Sequence, residues 1–140
     1  MAFDPETFYH FSVWIVEKNP DEASLRTAIS RVYFAAHLIA LQKMIDKNWL
    51  QPKGSGDDHG AVISQLKLRR RTQGDRLVHL LTLRQHVDYH MDTAQMPWNE
   101  KCEHCKKQRE SSPTQPGVVL SHWLDAKEVS DHLLPLLKKL

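Results

Sequence analysis

Cysteine and glycine are scarce in this sequence of 140 residues, which contains two cysteines and five glycines. A small secreted domain stapled by disulfides usually carries more cysteines, so the pair Cys102 and Cys105 favours a reducing, cytoplasmic compartment. Since no run of eighteen apolar residues occurs, we expect no membrane-spanning segment. The N-terminus, MAFDPETFYHFSVWIV, has no basic segment before its apolar residues and is not expected to be a signal peptide.

A large charge of one sign is also lacking, because 19 basic residues oppose 17 acidic ones and leave a formal net charge of +2. Overall charge therefore gives little reason to expect nucleic-acid binding. The length and the hydrophobic share of 41% suit a single globular domain over residues 1–140. One local basic patch could still contact RNA phosphates, or could simply complement the end of a helix: Lys67, Arg69, Arg70 and Arg71.

Period-two alternation is rare, whereas apolar residues recur at helical spacing. The first helix is expected to begin at Asp4-Pro5-Glu6, because an acidic cap followed by proline is a typical helix start. Further helices are expected at about 21–47, 59–71 and 74–91, and from about 118 onwards, where Pro135 would kink or end the last one. The sequence therefore predicts an all-α, up-and-down bundle of about five helices, with a long polar loop at 93–117 before the last helix.

The second of these helices has the clearest apolar pattern. Its apolar residues follow three-and-four spacing and are Leu25, Ala28, Ile29, Val32, Ala36, Ile39, Ala40 and Met44. At about 1.5 Å per residue it would span roughly 40 Å. Because this exceeds the length of a typical domain helix, we expect it to be the central spine of the bundle.

The stretch LTLRQHVDYHMD at 81–92 combines helical spacing with residues suited to phosphodiester chemistry. Arginine can bind a phosphate bidentately, and histidine can transfer protons near neutral pH. Arg84 with His86 or His90 could therefore act on RNA without a metal. On a straight helix, however, Arg84 and His90 would be about 120° apart around the axis and about 9 Å apart along it. The helix would have to bend or end before His90, or two protomers would have to share the site.

Two longer stretches carry a family signal. SLRTAISRVYFAAHLIAL at 24–41 contains the run Ser-Arg-Val-Tyr-Phe-Ala at 30–35, and LRQHVDYH at 83–90 contains Arg84 followed by Asp88-Tyr89. Together they resemble the HEPN domain of prokaryotic defence and toxin systems, over about residues 5–138. The resemblance implies a bundle of four or five helices.

Many HEPN domains are metal-independent endoribonucleases that work as homodimers. Their catalytic signature is an arginine, four to six residues and then a histidine, which Arg84 and His90 match with five residues between them. The resemblance thus implies that Arg84 binds the phosphate and that His90 is the general acid or base. Gln85 stands where asparagine or aspartate often follows the arginine, and the Asp-Tyr form of the motif also occurs in members with no obvious nuclease activity.

The same resemblance suggests supporting roles and partners. Asp88 would orient or pair with an arginine, Tyr89 would pack or contact substrate, and Gln85 and His86 would flank the site. A defence or toxin–antitoxin setting follows, with a nucleotidyltransferase-like antitoxin as one partner and dimerisation along the second and fourth helices.

Arg31 is unusual because it lies within an apolar run on the longest predicted helix. Burying an unpaired charge costs several kcal/mol, so Arg31 should either pair with an acid such as Asp88 or extend its head to solvent. His37, six residues later, is expected to be a core or surface histidine rather than a ligand.

The segment KCEHCKKQRE at 101–110 gives a weaker metal signal. Cys102 and Cys105 have the spacing of half a zinc knuckle, and His104 lies between them. Since a second such pair is absent, the alternative is two free thiols on a basic loop. No other cofactor is expected.

A non-catalytic binding module is the rival to the nuclease hypothesis. In that case the arginines and acids only build the bundle, and the long loop or the C-terminal leucines bind RNA or a partner protein. The two hypotheses differ in whether Arg84 is available to a substrate or is occupied by Asp88.

Overall fold

The structure, a computed structural model, describes residues 3–54, 57–89, 103, 105–107, 118 and 120–140. Its long helices are α1 (Glu6–Lys18), α2 (Glu22–Asp46), α3 (Asp57–Arg69), α4 (Arg71–Tyr89) and α5 (Leu120–Lys138). No β-strand occurs in these ranges, which confirms the all-α prediction. Residues 103 and 105–107 are also helical, so the segment expected as a loop at 93–117 contains helix and the expected count of about five helices omits this short piece.

Helix α2 is the centre of the bundle, as its length predicted. It contacts each of the other four long helices, and 13 of its 25 residues are buried. All eight apolar positions that three-and-four spacing selected are among the buried residues, so that prediction is confirmed. Because α2 is covered on several sides, most of the bundle packs around this one helix.

The helix ends follow local hydrogen-bonding chemistry. Asp4 Oδ1, one residue before the N-cap position Pro5, accepts the Glu6 N–H at 3.0 Å. Asp21, the N-cap of α2, accepts the Ser24 N–H through Oδ1 at 2.8 Å, so an acid stabilises each helix start. Helix α4 begins three residues before the predicted Gly74, whose N–H already bonds to the Arg70 carbonyl at 3.0 Å. Helix α5 continues past Pro135 to Lys138, so the proline does not end it. None of the helices described is both long and apolar enough to cross a membrane.

In helix α1, two neighbouring residues are placed against their polarity. Phe11 is 41% exposed although it is apolar, while Ser12 beside it is fully buried. The Ser12 hydroxyl lies 2.9 Å from the carbonyl oxygens of both Phe8 and Ala28, so it links α1 to α2. The backbones approach closely at fully buried Ala28, and a small hydroxyl side chain suits this contact better than a phenyl ring.

The junction of α3 and α4 requires glycine at position 74. A Cβ built on Gly74 would lie 2.9 Å from both the backbone N and Cα of Lys67, which cannot move like a flexible side chain. We therefore expect Gly74→Ala to lower the free energy of unfolding by about 1–3 kcal/mol, despite the better helix propensity of alanine. Urea unfolding measures the change.

Gly60 provides the matched control for this prediction. It is also helical, but a Cβ there meets no atom within 4 Å. Gly60→Ala should raise the free energy of unfolding by about 0.5–1 kcal/mol through helix propensity alone. If both substitutions stabilise the protein, the close α3–α4 contact at Lys67 is wrong.

Candidate functional site at Arg84

Arg84 lies on α4 on the side that faces α2. Its Nε is 2.8 Å from Asp88 Oδ2, and the same carboxylate oxygen accepts a hydrogen bond from the Ser30 hydroxyl at 3.0 Å. One turn away, Arg26 Nη1 donates to the Val87 carbonyl oxygen at 2.7 Å and holds the last turn of α4 against α2. These contacts fix the position of the Arg84 side chain, which is 16% exposed.

Three aromatic rings surround the guanidinium group. Arg84 Cζ lies 5.0 Å from the centroid of Phe34, 5.3 Å from that of Tyr89 and 5.9 Å from that of Tyr33. Arg84 Nη2 also donates to the Tyr89 hydroxyl at 3.3 Å. Aromatic faces stabilise a cation while leaving its edge N–H groups available to a ligand.

Two histidines complete the cluster. His59, near the start of α3, places Nδ1 2.7 Å from the Tyr33 hydroxyl. Its ring stacks on that of His37 from α2, with centroids 4.1 Å apart and planes at 23°. His59 is half-buried, whereas His37 is only 4% exposed. We call Arg84, Tyr33, Phe34, His37 and His59 the Arg84 cluster.

The neighbouring Asp58 fixes the backbone that carries His59. Its two carboxylate oxygens accept the N–H groups of Lys53 and Gly54 at 2.9 and 3.0 Å. Gly54 has φ of +69°, a left-handed conformation that glycine adopts without a steric penalty. The loop before α3 is thereby held against the helix start, and His59 is oriented toward α2.

Burial and charge keep both histidines neutral near pH 7. Burial, followed by the neighbouring His59, lowers the pKa of His37 to about 4, and Asp58 opposes this only weakly. The pKa of His59 is also lowered, first by burial and then by the Arg84 charge. Burial raises the pKa of the Tyr33 hydroxyl to about 12. The cluster therefore combines one permanent cation with two unprotonated imidazoles.

Two buried nitrogen atoms in this cluster have no directed hydrogen bond in the part of the chain that the structure describes. They are His37 Nδ1 and Arg84 Nε. Arg84 Nε is close enough to Asp88 for an ion pair, but its N–H does not point at the carboxylate oxygen. Buried polar atoms are usually satisfied, so this part of the fold has unused hydrogen-bonding capacity.

The residues predicted from the sequence are only partly brought together. Asp88 and Tyr89 contact Arg84, whereas Gln85 is exposed and His86 is half-buried beside it on α4. Helix α4 ends at Tyr89, and His90 lies outside the described residues.

The guanidinium group of Arg31 contacts aromatic rings and not the acid that the sequence suggested. Arg31 Cζ lies 5.6 Å from the Phe8 centroid and 5.1 Å from the Phe34 centroid. Asp88, which the sequence offered as its partner, pairs with Arg84 instead. Phe34 is thus flanked by two guanidinium groups, and Arg31 helps to place it.

The basic patch lies apart from the Arg84 cluster. The four residues of this patch, Lys67, Arg69, Arg70 and Arg71, are exposed at the α3–α4 junction. From Arg71 to Arg84 the distance along α4 is about 20 Å. Arg69 already makes a cation–π contact, because its Cζ lies 4.1 Å from the Trp49 ring centroid. A single RNA could therefore contact the basic patch and Arg84 only through different nucleotides.

The metal hypothesis finds no support in the described part of the fold. Cys105 is fully buried, and its Sγ lies 3.8 Å from the Ser121 carbonyl oxygen. Cys102 and His104 lie outside the described residues. Among the described residues, no group of three or more histidine, cysteine, aspartate or glutamate side chains could hold a metal ion.

The sequence interpretation missed the histidine pair. His59 stood at the predicted start of the third helix and His37 within an apolar helix, so neither had a motif around it. The available signal was the placement of Tyr33 and His37 four residues apart, which puts them on one face of α2. Comparison of the chain with family models, curated proteins and solved structures gave no match. These residues and the resemblance of the two motifs are therefore the features that bear on function.

Proposed function

We propose that this protein is an HEPN-like, metal-independent endoribonuclease that acts as a homodimer in a defence or toxin–antitoxin setting. The observation that supports this proposal is the environment of Arg84, a permanently charged guanidinium set among unprotonated histidines and aromatic rings. RNA cleavage without a metal needs a cation for the phosphate and groups that transfer protons. Arg84 supplies the first, and the motif assigns the second to His90.

The ion pair with Asp88 does not prevent phosphate binding. The pair is partly exposed, with 26% of the Asp88 side chain accessible to solvent. Pairs of this kind contribute about 0.3–1 kcal/mol, so a phosphate that offers two oxygens can replace the carboxylate. The exposed part of the Arg84 side chain, 16% of its surface, and the exposed Tyr89 ring would then contact the phosphate and an adjacent base.

The test is cleavage of RNA by purified protein in EDTA. Arg84→Ala should lower the cleavage rate by about 10²–10³-fold, because the developing charge on the phosphate loses its donor. His90→Ala should lower it by a similar factor if that residue transfers a proton. Arg76→Ala, a substitution of the same type on the same helix but outside the cluster, is the matched control and should cleave at the wild-type rate.

Two results contradict the proposal. One is cleavage that survives Arg84→Ala while circular dichroism shows an intact helical fold. The other is an absence of cleavage by the wild type with several RNAs at several protein concentrations.

A non-catalytic binding module is the second candidate, and the Arg84–Asp88 distance of 2.8 Å favours it. In that case Arg84 serves to hold α4 against α2, and RNA or a partner protein binds elsewhere. The basic patch at the α3–α4 junction is the proposed RNA contact for either candidate. Wild-type RNA binding without cleavage, weakened more by Arg70→Ala than by Arg84→Ala, would support this candidate.

The dimer and the partners remain part of the first proposal. We propose that the exposed surfaces of α2 and α4 meet across a two-fold axis, which would bring two Arg84 clusters close together. A nucleotidyltransferase-like antitoxin is the partner that the resemblance suggests. Sedimentation equilibrium of the purified chain measures the oligomeric state directly.

A further inference from the structure

We propose that His59 is a catalytic residue of this site and accepts the proton of the ribose 2′-hydroxyl that attacks the phosphate bound by Arg84. This inference rests on the proposed ribonuclease function. His59 lies on α3, outside the motif at 83–90.

Position is the first argument. His59 and Arg84 contact the same ring, because the Phe34 centroid lies 6.0 Å from the His59 centroid and 5.0 Å from Arg84 Cζ. They come from α3 and α4 and approach the ring of a residue on α2. A phosphodiester at Arg84 would therefore have its adjacent ribose near His59, which is half-buried and so reachable from solvent.

Orientation is the second argument. The Tyr33 hydroxyl lies 2.7 Å from His59 Nδ1, and the His37 ring stacks on the imidazole. When Nδ1–H donates to the Tyr33 oxygen, the lone pair of Nε2 is left to accept a proton. This is the arrangement of a histidine base that a second group holds in one tautomer.

Charge is the third argument. A base must be unprotonated before the reaction, and the groups around His59 favour that state on balance. Arg84 on α4 disfavours an imidazolium, Asp58 on α3 favours one, and His37 and Tyr33 on α2 are neutral near pH 7. Burial is the largest cause, and Arg84 adds to it; together they outweigh Asp58, so the pKa of His59 is lowered.

The reaction balances without a metal or a redox partner. The 2′-oxygen forms a bond to phosphorus as its proton moves to His59 Nε2. The bond between phosphorus and the 5′-oxygen breaks, and the 5′-oxygen takes up a proton from the general acid, which is the role left for the motif histidine His90. The products are a 2′,3′-cyclic phosphate and a 5′-hydroxyl end, and His59 then releases its proton to solvent.

The experiment compares His59→Asn with the wild type in single-turnover cleavage of a short RNA with one scissile bond. The asparagine amide can replace Nδ1 in the contact with Tyr33 but offers no Nε2, so the fold should persist. We expect the rate at pH 7.5 to fall by about 10²–10³-fold. The dissociation constant for uncleavable 2′-deoxy RNA should change by less than about threefold, since Arg84 is untouched. His132→Gln, an exposed histidine on α5, is the matched control.

A second substrate identifies which proton His59 transfers. It carries sulfur in place of the 5′-oxygen, a leaving group that needs no protonation. The His59→Asn deficit should persist with this substrate if His59 is the base. The acidic limb of the wild-type pH–rate profile should also disappear in the variant.

Three results would overturn the assignment. They are cleavage within about threefold of wild type, a deficit that the sulfur substrate restores, and a loss that weaker RNA binding accounts for in full. If the wild type cleaves and Arg84→Ala does not, the ribonuclease proposal stands whatever His59→Asn does. If the wild type fails to cleave RNA, both proposals fall together.

Discussion

At pH 5 the free energy of unfolding is expected to be on the order of 4 kcal/mol lower than at pH 7.5, because two buried histidines resist protonation in the folded protein. Burial lowers the pKa of both His37 and His122 to about 4. In the unfolded chain each should titrate near 6.5. Between these values the unfolded chain binds more protons than the folded one, and acid therefore favours unfolding.

The sign of this pH dependence follows from the lowered pKa of each histidine in the folded protein. The contribution of each histidine is fully present above about pH 6.5 and is lost as the pH falls toward 4. From pH 6.5 to 5 each contributes about 2 kcal/mol, at about 1.4 kcal/mol for each pH unit. His37 and His122 are 4% and 1% exposed, so solvent does little to reduce the effect.

Urea unfolding at a series of pH values measures this slope. The double variant His37→Gln, His122→Gln should unfold with a clearly flatter pH dependence between pH 7 and 5, whatever its absolute stability. His132→Gln removes an exposed histidine from the same helix as His122 and should keep the wild-type slope. An unchanged slope in the double variant would assign the acid sensitivity to carboxylates instead.

Leu80→Ala is expected to lower the free energy of unfolding by about 3–4 kcal/mol, the second large effect. Leu80 on α4 is fully buried in the main core, and α4 contacts α2, α3 and α5. Truncation removes buried methyl groups and leaves a cavity that rigid neighbouring helices cannot close.

Leu68 offers the same substitution on a helix surface. It belongs to α3 and is 79% exposed, so Leu68→Ala should change the free energy of unfolding by no more than about 0.5 kcal/mol. Both variants can be compared with the wild type in one set of urea titrations. If both substitutions lowered the free energy of unfolding equally, the burial of Leu80 and the exposure of Leu68 would be wrong.

Local sequence chemistry was enough to predict much of the bundle. The spacing along α2 identified its eight apolar core positions because a helix brings every third or fourth residue to the same face. Asp4 marked the start of α1 because a carboxylate satisfies N–H groups that the helix leaves unpaired. Arg84 and Asp88 were recognised as neighbours for the same reason of spacing.

Local patterns failed where the contact between two helices decides the residue type. Ser12 is buried and Phe11 exposed because α1 lies close to the backbone of α2 at Ala28. Gly74 was expected to begin the fourth helix, yet α4 begins at Arg71, and position 74 requires glycine because Lys67 of α3 leaves no room for a Cβ. Neither contact can be inferred from residues adjacent in sequence.

The sequence by itself determined the helical class and the central role of α2, and it is the source of the proposal that Arg84 binds a phosphate. Only the tertiary structure decided that Asp88 pairs with Arg84 rather than with Arg31, whose guanidinium lies near two phenyl rings instead. It also decided that His37 and His59 stack beside Tyr33. The physical reason is that helical periodicity fixes which face a side chain occupies, whereas the packing of α2, α3 and α4 fixes which faces meet.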